Sequence, residues 1–82
     1  MTIDNIMKIN EMTMGLDSRI RCEVFEAYMK AHDEFRVQMG VISFKHITDS
    51  KEYGRLMKES EVYQLRKAIE LVDKYKEAGV IK

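Results

Sequence analysis

The chain has no proline, no tryptophan, a single cysteine, four glycines and no net charge, with 14 basic residues balanced by 14 acidic ones. Each shortage excludes something. The absence of proline favours helix. With Cys22 alone, no disulfide framework can staple the chain, and the reducing cytoplasm is the expected compartment. With zero net charge there is no broad positive field to gather nucleic acid. No apolar run approaches the length of a membrane span. The opening stretch "MTIDNIMKINEMTMG" mixes acids into its apolar residues, so it is expected to be neither signal peptide nor membrane anchor. Thr2 stands where N-myristoylation needs glycine.

What remains is 82 residues, 45% hydrophobic and 34% charged. That balance disfavours disorder, and the length predicts one domain, residues 1–82, with one small core. A core of this size leaves no second domain to wall a deep pocket, which weighs against an ordinary metabolic enzyme. Abundant Met, Glu, Lys, Leu and Ile favour helix. The expected class is all-α: three to four helices with one short extended connector at about 41–47.

Three glycines punctuate the chain as helix stops. Gly15 follows "NEMTM", Gly40 follows "FRVQM" and Gly79 follows "KYKEA". The first helix is expected at about 3–14, capped by Thr2 or Asp4, with Ile3, Ile6, Met7 and Met14 facing the core. The second, at about 18–39 behind an Asp17 or Ser18 cap, carries Ile20, Val24, Tyr28, Ala31, Phe35 and Met39 at steps of three and four. A second stripe flanks it: Cys22, Phe25, Met29 and His32. Apolar surface that wide implies a central helix or a partner on the second face.

"GVISFKHITDSKEYG" follows, and between Val41 and Ile47 it alternates like a strand. A strand with no neighbour is unstable, so the stretch is expected to connect two helices while Ile42 and Phe44 plug the core. Pairing with its copy across a dimer is the sharper version. Beyond it, Tyr53, Leu56 and Met57 form one stripe, and Val62, Leu65, Ala68, Ile69 and Val72 another, about a quarter-turn out of phase. This predicts a break near "KESE", giving helices at about 50–59 and 61–78 with Ser60 capping the last. One bent helix is the alternative.

No chemical motif emerges. Around Gly40 the chain superficially echoes a DNA-reading helix-turn-helix, but Arg36, His46 and Asp49 occupy positions that should be small or apolar, and the neutral charge weighs further against nucleic acid. Cys22, His32 and His46 have no metal-ligand spacing, so no metal or cofactor is expected. Cys22 and His32 lie about 15 Å apart along one helix, too far for a nucleophile and its base. Asp33 and Glu34 diverge as neighbours on a helix. No catalytic residue is assigned. Of the seven methionines, Met7, Met14, Met39 and Met57 are expected in the core, with Met29 outside it. The side chains left for a partner are Cys22, Phe25, Met29 and His32 on the second helix, and Leu71 and Tyr75 on the last. Covering of the second stripe by the first helix is an equally simple fate for it.

The stretches "MTIDNIMKINEM" and "EVFEAYMKAHDEF", together with the length, resemble the small early proteins of T-even-type bacteriophages, and among them the cytoplasmic antiholins of lysis inhibition. The resemblance implies a short helical cytoplasmic protein without enzymatic activity. It would bind another protein, the cytoplasmic region of a holin, and delay lysis without inserting into the membrane. It assigns no residue a role. Beside this reading stand a small nucleic-acid-binding or transcription-modulating helical domain and a homo-oligomeric assembly helper, the latter requiring a homodimer or larger.

Overall fold

The computed structural model describes residues 2–80. It is a small all-α domain of three helices: α1 (Ile3–Thr13), α2 (Ser18–Gln38) and α3 (Ser50–Glu77), with a 3-10 turn at Phe44–His46 between the last two. There is no strand among the described residues. Each helix begins at a side-chain oxygen that accepts otherwise unpaired amide protons. Thr2 accepts from the Asn5 amide at 3.2 Å, Asp17 from Arg19 at 2.8 Å, and Asp49 from Lys51 at 2.9 Å. Gly15, Gly40 and Gly79 all have positive φ, as helix stops require. At Gly40 (φ 69°) the chain reverses with the Val41 amide donating to Arg36 O at 2.8 Å, the six-to-one bond of a Schellman motif.

α2 and α3 form an antiparallel hairpin. Gln64 Nε2 donates to the Tyr28 carbonyl at 3.0 Å, Tyr75 OH donates to the Glu23 carboxylate, and Phe35 meets Tyr63 with ring centroids 5.8 Å apart. The connector between them is too long for a helix-turn-helix, and Arg36 holds it by donating from Nη1 to the Ile42 carbonyl. α1 lies over one half of the hairpin, where Ile9 packs with Val24, Tyr28, Ala68 and Val72. Phe44 closes the other half, packing with Phe35 and Leu56.

The expected stripe of α2 is the real one: Val24, Tyr28, Ala31 and Phe35 are buried and Ile20 is half-buried, though Met39 at its end is exposed. The other two helices differ from expectation for one shared reason. α1 buries Asn5, Ile9 and Thr13, while Ile3, Met7 and Met14 face outward. α3 buries Leu56, Ser60, Gln64, Ala68 and Val72. In both, polar side chains occupy core positions because each has a hydrogen-bond partner there, which makes their burial tolerable. Thr13 Oγ1 donates to Ile9 O at 2.7 Å, and Ser60 Oγ to Gln64 Oε1 at 3.4 Å.

The expected break near "KESE" is absent; α3 runs unbroken and Ser60 is buried inside it rather than capping a helix. The phase shift that suggested the break is nevertheless genuine. Steps of four residues overshoot a full turn by about 40°, so the buried stripe from Leu56 to Val72 winds about 160° around α3. Of the two residues expected to plug the core from the connector, Phe44 does so and Ile42 is 86% exposed. The Phe44–His46 turn replaces an extended segment there because Ser43 Oγ accepts from the Lys45 amide at 3.2 Å and turns the backbone. Met7, Met14 and Met39 are also exposed rather than buried.

Candidate functional site

Between the two apolar clusters sits a polar group. Tyr28 OH donates to Glu61 Oε2 at 2.6 Å. Asn5 Nδ2 lies 2.9 Å from the same oxygen and 3.1 Å from the Tyr28 hydroxyl. This arrangement joins all three helices. Burial first, and then the hydrogen bond to Glu61, push the Tyr28 phenol up to about 12. Burial acts to raise Glu61 too, but hydrogen bonds, including those from Tyr28 and Asn5, together with nearby positive charge hold its carboxyl below the usual value. A phenol so reluctant to ionise and a carboxylate so reluctant to protonate are poorly matched to proton transfer at neutral pH. The group is a structural brace. Among the described residues no cluster of three His, Cys, Asp or Glu side chains could hold a metal.

The six side chains singled out as partner contacts do not form one site. Leu71 and Tyr75 are half-buried and pack on the Ile9–Val24 cluster. Leu71 also borders the open groove between α2 and α3, whose walls carry Glu23, Lys30, Lys67 and Lys74, a solvated face of mixed charge. On α2 the second stripe is split by depth. Phe25 packs its inner side on the Ile9 cluster. His32 lies against Phe44 with ring centroids 5.1 Å apart. Cys22 is exposed and Met29 is 56% exposed. Phe25, Met29 and Cys22 border an open, mainly apolar groove along the flank of α2.

Sequence reasoning assigned Ile3, Met7 and Met14 of α1 to the core, and they are exposed. Asn5 sits on the flank of α1 that reaches Glu61 of α3. The same side chain also reaches Tyr28 of α2, and at 100° per residue Ile3 lies about 120° around α1 from Ile9. On α2, Glu23 faces α3 through its bond from Tyr75, so Met29 and Cys22 lie on the side away from α3. Ile3 and Met14 are 76% and 74% exposed. The available signal was Asn5 and Thr13 lying four residues on either side of Ile9, the spacing of a helix face.

No protein-family model, no curated protein and no solved structure matches the chain. No helix among the described residues is long and apolar enough to cross a membrane.

Proposed function

We propose that this protein is a non-enzymatic regulator that acts by binding another protein through the apolar groove on the outer flank of α2. Following the resemblance to T-even-type phage early proteins, its concrete form is a cytoplasmic antiholin: it binds the cytoplasmic region of a holin and delays lysis. The observation that carries the protein-contact reading is Met29. It stands more than half exposed in the middle of a 21-residue helix, lining one groove with Phe25 and Cys22. Flexible, polarisable methionines suit adaptable contact surfaces, and Met7 and Met14 add two more on α1.

The test is a calorimetric titration of the purified protein with the soluble cytoplasmic segment of a T-even-type holin. The wild type should bind, and Met29→Lys should lose binding while keeping its helical circular dichroism. An unpaired charge buried in such a contact costs roughly 3–5 kcal/mol, enough to abolish micromolar affinity. Leu71→Lys is the contrast. Its side chain is packed on the core cluster, so that variant should lose thermal stability as well. Absence of binding by the folded wild type would remove the antiholin form.

A further inference from the structure

We propose that the groove α1 occupies between α2 and α3 is a helix-receiving site. α1 holds it shut, and in place of α1 it takes a helix of a partner protein that carries a side-chain carboxamide and, four residues later, an isoleucine. The site is separate from the groove on the outer flank of α2, and the inference stands independently of that reading.

Three features support it. The first is the shape of the groove, which α1 itself displays. Ile9 is fully buried and packs with Val24 and Tyr28 of α2 and with Ala68 and Val72 of α3. Each pair is spaced four residues apart, so the two helices present one hole to a single knob. One turn before Ile9, about 6 Å along the axis, Asn5 Nδ2 lies 3.1 Å from the Tyr28 hydroxyl, 2.9 Å from Glu61 Oε2 and 3.1 Å from the Glu61 carbonyl. All three oxygens accept from it. The groove therefore reads two things in an incoming helix: a donor amide and, one turn on, a branched aliphatic side chain. A carboxylate in place of the amide would meet the Glu61 carboxylate and be rejected.

The second is how α1 divides its apolar side chains. Its inward face buries Asn5, Ile9 and Thr13, of which only Ile9 is apolar. Ile3, Met7 and Met14 are 76%, 54% and 74% exposed. At 100° per residue these three lie within about 40° of one another and roughly 140° from Ile9. α1 thus leaves its other apolar stripe in water while it fills the groove. A helix divided in this way gains less from its seat than one that buries all its apolar side chains. Its advantage over a competitor is the tether, which sets an effective concentration in the millimolar range.

The third is the hinge. Met14 and Gly15 are exposed. Gly15 has φ 79°, and a Cβ there would meet nothing within 4 Å. The turn can open at Gly15 without displacing a packed side chain. The receiving hairpin keeps contacts that do not involve α1: Phe35 and Leu56 with Phe44, and the bond from Gln64 to the Tyr28 carbonyl.

The test uses the full chain and a synthetic peptide of residues 2–16 with a fluorophore at its C-terminal end, read by fluorescence anisotropy. The wild type should capture the peptide weakly, because its own α1 competes. Ile9→Ala in the chain loosens the tethered helix and leaves the groove intact, so it should bind the same peptide at least roughly tenfold more tightly. Gly15→Val strains the turn through a β-branched residue at positive φ and removes no groove contact; it should act in the same direction. Peptides carrying Asn5→Asp or Ile9→Asp should bind at least roughly tenfold more weakly. Met29→Lys in the chain, on the outer flank of α2, should leave capture unchanged. The proposal is overturned if neither loosened variant binds the peptide more tightly than the wild type, or if both lose the helical circular dichroism of the hairpin. Indifference to Asn5→Asp in the peptide would also overturn it. Loss of capture in Met29→Lys would do the same by placing the peptide on the outer flank. Each of these failures leaves the reading of the outer flank as a protein contact untouched.

Discussion

Tyr28 is fully buried, and its hydroxyl is the hinge of the polar brace, facing Asn5 and Glu61 at 3.1 and 2.6 Å. Tyr28→Phe keeps the ring and withdraws one donor from a part-buried carboxylate, so it should cost about 1–3 kcal/mol in chemical denaturation. It should also change the dependence of stability on pH. Glu61 titrates lower in the folded protein than in the unfolded chain. Its contribution is present above the unfolded carboxylate pKa and is lost as pH falls through the folded value. Tyr28 is raised from 10.0 to about 12, so its contribution is complete below pH 10 and disappears as pH climbs toward 12. Melting temperatures across both windows should fall less steeply in Tyr28→Phe; profiles of identical shape would mean that the brace does not couple stability to protons. Phe35→Ala probes the apolar side of the same scale. Phe35 is buried against Phe44 and Leu56, and its truncation should cost about 3–5 kcal/mol. Glu70→Ala, on an exposed face beside Lys67, should stay within about 0.5 kcal/mol. Comparable losses from the two would show that the core has been placed on the wrong face.

At the scale of the element, α3 is the informative case. It is 28 residues long and contains Gly54 in its interior, where a Cβ would meet nothing within 4 Å. Gly54→Ala should raise stability by about 0.5–1 kcal/mol by removing backbone freedom from the unfolded chain. Gly40→Ala should do the reverse, because φ is 69° there and the left-handed conformation costs an L-residue about 1–2 kcal/mol. A melting temperature that fell for both would argue against an unbroken α3. These elements also show what a sequence reveals. α2 was legible because its inward residues are apolar and its stripe, from Val24 to Phe35, drifts only about 20° around the helix. α1 was legible as a helix but not in its orientation. Asn5 and Thr13 look like surface residues, and only the distant Tyr28, Glu61 and the Ile9 carbonyl give them partners. α3 hid its continuity behind Ser60 and Gln64 for the same reason. The groove on the flank of α2 was legible in outline, since Cys22, Phe25 and Met29 follow from periodicity, whereas the exposure of Ile3 and Met14 was hidden by the reversed face of α1.

At the scale of the whole molecule, the three helices are unequal. α2 and α3 hold each other along most of their length, but α1 has 11 residues and buries only Asn5, Ile9 and Thr13. Two of those three are polar, so the apolar stabilisation of α1 comes mainly from Ile9, with Met12 half-buried beside it. A segment with so little buried apolar surface should open at lower free energy than the hairpin. Native-state hydrogen exchange should therefore show the amides of Ile6 to Thr13 exchanging through a partial opening, while those around Tyr28 and Gln64 exchange only on global unfolding. Equal protection in all three helices would mean that α1 is part of a single cooperative unit.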